Sequence, residues 1–290
     1  MTDRGIGIVE RAEGFIQSNA RLLERRAFAM HFRDGSAQDV MAALRPYQNA
    51  DGGFGNALEP DKRCSESQPL DCEVALRMMD DSQFDVAVAL RMIGWLHTIT
   101  RPDGGLPFSL PSVRSAPRAP WWDTDVELPS SLNPTASIAG LLLKHGVKAP
   151  WVDRAVEFCT KSIDDLGDLD PHTVICVMLF LESAPDRGWT AAAFQRIGPR
   201  LIEEKIVALD PKAEGYVHSP LAFAPTPASR CRPLFTDEVI GAHLDAVMAG
   251  QQEDGGWNIA WPACTPLCEL EYRGVVTVGE LQTLKAYGRL

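Results

Sequence analysis

The sequence predicts an all-α protein, an α/α toroid of about five helical hairpins with an added N-terminal helix, and three observations predict it. Asp-Gly-Gly recurs at Asp51-Gly52-Gly53, Asp103-Gly104-Gly105 and Asp254-Gly255-Gly256. The first two copies lie 52 residues apart and the next pair 151, close to three further periods. Before each turn, apolar residues fall at i, i+3, i+4 and i+7 steps, the pattern of an amphipathic helix. After the turns come segments apolar almost all round, the pattern of a helix buried on every side. One half-wet outer helix and one buried inner helix per repeat roll into a closed double layer.

The elements follow in order. Ile6 to Phe32 reads as one long helical segment that closes the ring against the last hairpin. The first outer helix carries Val40, Leu44 and Tyr47, and its inner partner runs near Gln68 to Met79. Phe84, Val88, Met92 and Trp95 mark the second outer helix, followed by an inner helix from Asn133 to His145. Trp151, Ala155, Phe158 and Cys159 mark the third, with a degenerate turn at Asp164 to Asp170 and an inner helix from Pro171 to Glu182. Phe194, Ile197 and Leu201 precede a second degenerate turn at Ala213 to Tyr216. Val239, Leu244, Val247 and Met248 precede the third Asp-Gly-Gly, and Thr277 to Tyr287 forms the last inner helix. Asn133-Pro134 and Asp170-Pro171 place a cap residue before proline at a helix start. Thr277 to Glu280 reads as a capping box. The proline-rich connections Pro107 to Pro129 and Pro220 to Pro233 are long for a compact fold, and such loops are usually functional or disordered. No flexible linker divides the chain, so residues 1–290 read as one toroid domain.

Composition narrows the function. Apolar residues make up 45% and charged residues 23%, which suits a full globular core. A formal net charge of −11, without a Lys/Arg cluster, argues against nucleic acid and anionic membranes as partners. The N-terminus shows no apolar signal segment, and the longest apolar run, Val174 to Leu181, is too short to span a bilayer. Seven cysteines form no disulfide framework, and the expected setting is the reducing cytoplasm. No cofactor is expected.

Gln48-x-x-Asp51-Gly-Gly-Phe54 and Gln251-x-x-Asp254-Gly-Gly-Trp257 resemble the QxxDGGW repeats of the squalene–hopene and oxidosqualene cyclase family, with Thr100-x-x-Asp103-Gly-Gly-Leu106 a weakened copy. The same repeat class underlies the β-subunits of protein farnesyl- and geranylgeranyltransferases. The resemblance implies an isoprenoid or similarly apolar small molecule as ligand, acted on in the toroid cavity by cyclisation or prenyl transfer. A non-catalytic binding or interaction protein on the same fold is the alternative. The motif residues themselves read as scaffold, since Gly-Gly permits a tight positive-φ turn and the Asp can accept its backbone N–H groups.

The resemblance also directs attention to the acids. Those cyclases protonate an alkene with a DxDD aspartic acid, and the nearest approach here is Asp123-Thr124-Asp125-Val126-Glu127. Asp123 and Asp125 are therefore the expected catalytic acids, with Trp121 and Trp122 as aromatic walls for a cationic intermediate. A solvated surface loop is the plainer reading of the same residues. The prenyltransferase zinc pattern of Asp, Cys and His is matched only loosely by Asp71, Cys72 and His172. Neighbours on a helix point about 100° apart, so no metal site is expected. His172 remains as a polar group for substrate. Cys264-x-x-x-Cys268 with Cys231 offers thiolates without a clear fourth ligand. Finally, Glu59, Asp61, Lys62 and Arg63 follow the first turn, and Glu269, Glu271 and Arg273 hold the matching place in the last repeat. These groups read either as a substrate or acid/base set or as a salt-bridge network.

Overall fold

The computed structural model describes residues 3–290, and among them the fold is all-α. The helices are α1 (Asp3–Asn19), α2 (Leu22–Phe32), α3 (Ala37–Leu44), α4 (Pro69–Asp81), α5 (Val86–Ile99), α6 (Leu132–Lys144), α7 (Pro150–Asp164), α8 (Pro171–Ser183), α9 (Arg187–Ile197), α10 (Arg200–Glu203), α11 (Pro220–Phe223), α12 (Asp237–Ala249) and α13 (Pro266–Ala286). Two dipeptide strands, β1 (Leu106–Pro107) and β2 (Ser130–Ser131), pair antiparallel. No described helix is long and apolar enough to cross a membrane. The chain divides into two compact units, one formed by Leu44–Ile197 and the other by residues up to Ala43 together with Gly198–Leu290.

In the Leu44–Ile197 unit the expected inner helices form. From Pro134 to Leu142, α6 is buried at every position, as an all-round apolar sequence requires. It lies against α8, where Gly140 brings it so close that a Cβ there would sit 2.8 Å from the Phe180 Cα. Asp170 caps α8 by accepting the Thr173 N–H at 2.8 Å, with Pro171 at the first helical position. Asp85 caps α5 through Ala87 and Val88.

In the other unit two sequence expectations change. Ile6 to Phe32 is two helices, because Arg21 is extended (φ −63°, ψ 163°) and the Asn19 amide donates to the Phe15 carbonyl, competing with helix continuation. The last inner helix starts at Pro266 rather than Thr277. Its cap is Thr265, whose hydroxyl accepts the Cys268 N–H at 3.1 Å. Thr277 and Glu280 therefore lie inside the helix and form no capping box. The Thr277 hydroxyl accepts the Trp257 N–H at 3.1 Å.

Glu280 is left partly buried in α13, and burial pushes its pKa up from 4.5 to about 7. Between those two values the folded chain holds this proton more tightly than the unfolded chain. Stability from this group is therefore highest below pH 4.5 and declines as pH rises toward 7. Glu280→Gln should raise the melting temperature at about pH 8 and change it little near pH 4. The same change at both pH values would contradict this account.

The repeat motif has one physical purpose, visible in three copies. In each, the Asp Oδ1 accepts the N–H of the second glycine: Asp51 from Gly53 at 2.9 Å, Asp103 from Gly105 at 3.1 Å and Asp254 from Gly256 at 3.0 Å. The first glycine takes φ of 96°, 94° or 93°, a region that favours glycine. That glycine also rests on the backbone of another helix. A Cβ would meet the carbonyl oxygen of Arg91 on α5 at 2.5 Å, of Arg154 on α7 at 2.8 Å and of Arg11 on α1 at 2.0 Å. Four residues on from each arginine, Trp95, Phe158 and Phe15 press against the second glycine. The N-terminal helix thus serves the last turn as α5 serves the first.

The glutamine completes the clamp. Gln48 donates to the Gly52 carbonyl at 2.9 Å and accepts from Arg91 at 2.6 Å. Gln251 donates to Gly255 and to the Ile8 carbonyl, each at 2.9 Å, and accepts from Arg11. Where Thr100 replaces glutamine, the Trp151 indole on α7 donates to its hydroxyl at 2.7 Å. The degenerate turn at Ala213 to Tyr216 keeps a positive φ at Gly215 (90°) but has nothing within 4 Å of its Cβ position, so it carries no docked helix there.

Candidate functional site

The strongest concentration of buried polar chemistry lies in the Leu44–Ile197 unit, just after the first turn. Asn56 and Ala57 both take left-handed angles (φ 57° and 60°), strained for alanine, and such strain gathers at functional sites. The chain then runs through Glu59, Asp61 and Lys62, which are 6%, 1% and 1% exposed. The Lys62 ammonium pairs with the Asp71 carboxylate, itself 1% exposed in the first turn of α4. Asp71 also accepts the Glu59 N–H at 2.7 Å. Three carboxyl groups are thus buried with one ammonium within thirteen residues.

The proline-rich connection after β1 closes over this segment. The Arg63 N–H donates to the Pro117 carbonyl at 2.9 Å, and the Ala119 N–H to the Asp61 carbonyl at 2.8 Å. Fully buried Gln68 pins the same connection, accepting the Leu110 N–H at 3.0 Å and donating to the Ser112 hydroxyl at 2.8 Å. Trp122 is delivered in this way. It stacks on Phe108 (centroids 4.9 Å apart), and the Lys62 Nζ lies 5.5 Å from its ring centroid. Its Nε1 is buried and meets no acceptor in the structure. A buried donor without an acceptor costs about 1–3 kcal/mol, which makes it a natural contact for a ligand oxygen.

The residues expected from sequence fall in different places. Glu59, Asp61 and Trp122 belong to this cluster. Trp121 is 43% exposed beside it. The Asp123 and Asp125 carboxylates are 42% and 72% exposed. Arg118 pairs with Asp123 at 2.6 Å, and Arg114 reaches both acids at 3.1 Å. An acid that protonates an alkene must be shielded from water, and these two are instead the ionic staples of a surface loop. His172 is exposed in the first turn of α8. Arg273 is committed to the last repeat turn: it donates to Asp254 at 2.7 Å and to the Trp257 carbonyl at 3.2 Å, and it lies 4.5 Å from the Phe15 centroid. The Arg273 hydrogen bond holds the Asp254 carboxyl below the usual carboxylate range.

Sequence reasoning placed Lys62 beside Glu59 and Asp61 but missed Gln68 and Asp71 as members of the cluster. Asp71 was visible as a charge in the first turn of an inner helix, where a carboxylate needs a partner. Cys72, its neighbour, is fully buried, and that burial pushes its thiol far above its ordinary pKa.

No protein-family model and no curated protein matches the chain. A crystal structure of a protein from Actinoplanes superposes with a TM-score of 0.62 at 15% identity, over 98% of this chain and 99% of that one. That likeness is one of fold.

Proposed function

We propose that this chain is a cyclase- or prenyltransferase-like protein that acts on an isoprenoid or similarly apolar small molecule at the Glu59–Asp61–Lys62–Asp71–Trp122 cluster. The observation that carries the proposal is the buried excess of carboxyl over ammonium groups beside an indole whose N–H has no acceptor. Carboxyls that outnumber the cations buried with them are where a proton can be retained, as a general acid needs. Asp61 is the proposed donor: it is 1% exposed, and its carbonyl accepts the Ala119 N–H three residues before Trp122. The Trp122 ring would stabilise a developing cation by its face. We place the protein in the reducing cytoplasm, and the net charge of −11 argues against a nucleic-acid partner. The exposure of Asp123 and Asp125 favours the second reading, a non-catalytic binder of the same ligand class.

The test is incubation of wild type, Asp61→Asn and Trp122→Phe with linear prenyl diphosphates and squalene, followed by product analysis. Wild type should form product, and Asp61→Asn should lower turnover by about 10²–10⁴-fold with its helical spectrum unchanged. Undiminished product from Asp61→Asn would remove it as the acid. Binding by wild type without product would select the second reading.

A further inference from the structure

In the other unit, Cys264 and Cys268 flank the start of α13. Their sulfurs lie 2.9 Å apart, about 0.9 Å longer than a covalent S–S bond, and no disulfide joins them. The Thr265 hydroxyl, whose oxygen caps the helix by accepting the Cys268 N–H, also donates to the Cys268 sulfur at 3.0 Å. The two thiols differ in access, since Cys264 is partly exposed and Cys268 is fully buried. All the remaining cysteines are buried: Cys64, Cys72, Cys159, Cys176 and Cys231. Burial pushes the Cys64 thiol up to about 11, and drives those of Cys72, Cys159 and Cys176 higher still. Thiols of that kind react slowly, because the thiolate is the nucleophile.

We infer that Cys264 and Cys268 form a reversible dithiol–disulfide couple that exchanges with low-molecular-weight disulfides. The Cys264 thiolate attacks one sulfur of the small disulfide, breaking its S–S bond and releasing one small thiolate. The Cys268 thiolate then attacks the Cys264 sulfur and expels the second. The protein dithiol loses two electrons and two protons, and one small disulfide becomes two small thiols. The arrangement assigns the roles: the accessible Cys264 meets the small molecule, and the buried Cys268, within 2.9 Å, resolves the mixed disulfide. Closure would tie the Trp261–Cys264 loop to the first turn of α13.

The experiment equilibrates the full chain in glutathione buffers spanning the reducing-to-oxidising range. Thiols are then trapped by alkylation in denaturant, and intact mass and peptide maps are recorded. Oxidised protein should show five alkylated cysteines instead of seven, with Cys264 and Cys268 in one linked peptide. Cys268→Ser should accumulate glutathione on Cys264, because no resolving thiol remains, whereas Cys264→Ser should take up none. Seven alkylated thiols throughout the range would overturn the inference. So would linkage of any other pair, or retention of both thiols by bound zinc that only a chelator releases. The wild-type titration decides the matter even if a serine variant fails to fold.

Discussion

Gly255→Ala should destabilise the unit containing α1 and α13 by about 3–5 kcal/mol, the sum of backbone strain and forced repacking. Two independent costs meet at this position. The first is conformational: φ is 93°, which an L-residue adopts only with strain. The second is steric: the new Cβ would lie 2.0 Å from the Arg11 carbonyl oxygen and 2.5 Å from its carbon, and both belong to backbone rather than to a flexible side-chain end. Relief requires α1 to lift from the turn, which would loosen the Gln251–Ile8 bond and the packing of Gly256 on Phe15. Gly146→Ala is the control. It has a comparable φ of 66° but nothing within 4 Å of the new methyl, so it should cost about 1–2 kcal/mol. Denaturant melts of the two variants measure the difference directly. Equal losses would mean that the turn does not depend on its contact with the helix.

That difference between strain alone and strain plus contact marks how far the sequence could be read. The Asp-Gly-Gly turns were legible because their chemistry is local: an Asx-type acceptor and a positive φ need only the residues in the motif. Inner helices α6 and α8 were legible because a segment without a polar face can only be buried. The docking of each turn onto an arginine–aromatic pair four residues apart on another helix was not legible, since the partners lie far off in sequence. The join between α1 and α2 was missed because Asn19 and Arg21 carry no glycine or proline signal. At the candidate site, Glu59 and Asp61 were legible as acids after a repeat turn. Which of two adjacent tryptophans turns inward was not, because Gln68 and the Asp61 carbonyl fix that choice through residues 110–119. Asp123 and Asp125 misled for a related reason. Acid composition and aromatic neighbours were present in sequence, but burial, which decides the chemistry of a carboxyl, is a property of the loop's path.

Lys62→Met should destabilise the Leu44–Ile197 unit by about 3–5 kcal/mol, since it leaves the Asp71 carboxylate buried without its ammonium. Asp71→Leu should cost a similar amount by stranding Lys62, and it also removes the acceptor of the Glu59 N–H. The double variant Lys62→Met/Asp71→Leu removes both charges together. It should therefore recover most of the loss and fall within about 1–2 kcal/mol of wild type, the residue reflecting the unsatisfied Glu59 N–H. The coupling between the two positions would then be several kcal/mol, far above the 0–1 kcal/mol expected of an exposed pair such as Arg33–Glu13. Urea melts of the four proteins give this coupling. Single variants no more damaged than an Arg33→Ala control would show that the Lys62–Asp71 pair is not buried in solution. The double variant also separates structure from function, because it keeps the fold while stripping the cluster of its ammonium and one carboxyl. If the cluster binds ligand, this stable protein should lose product formation or binding of the prenyl probes. If Lys62 and Asp71 only hold the first turn against α4, it should retain both.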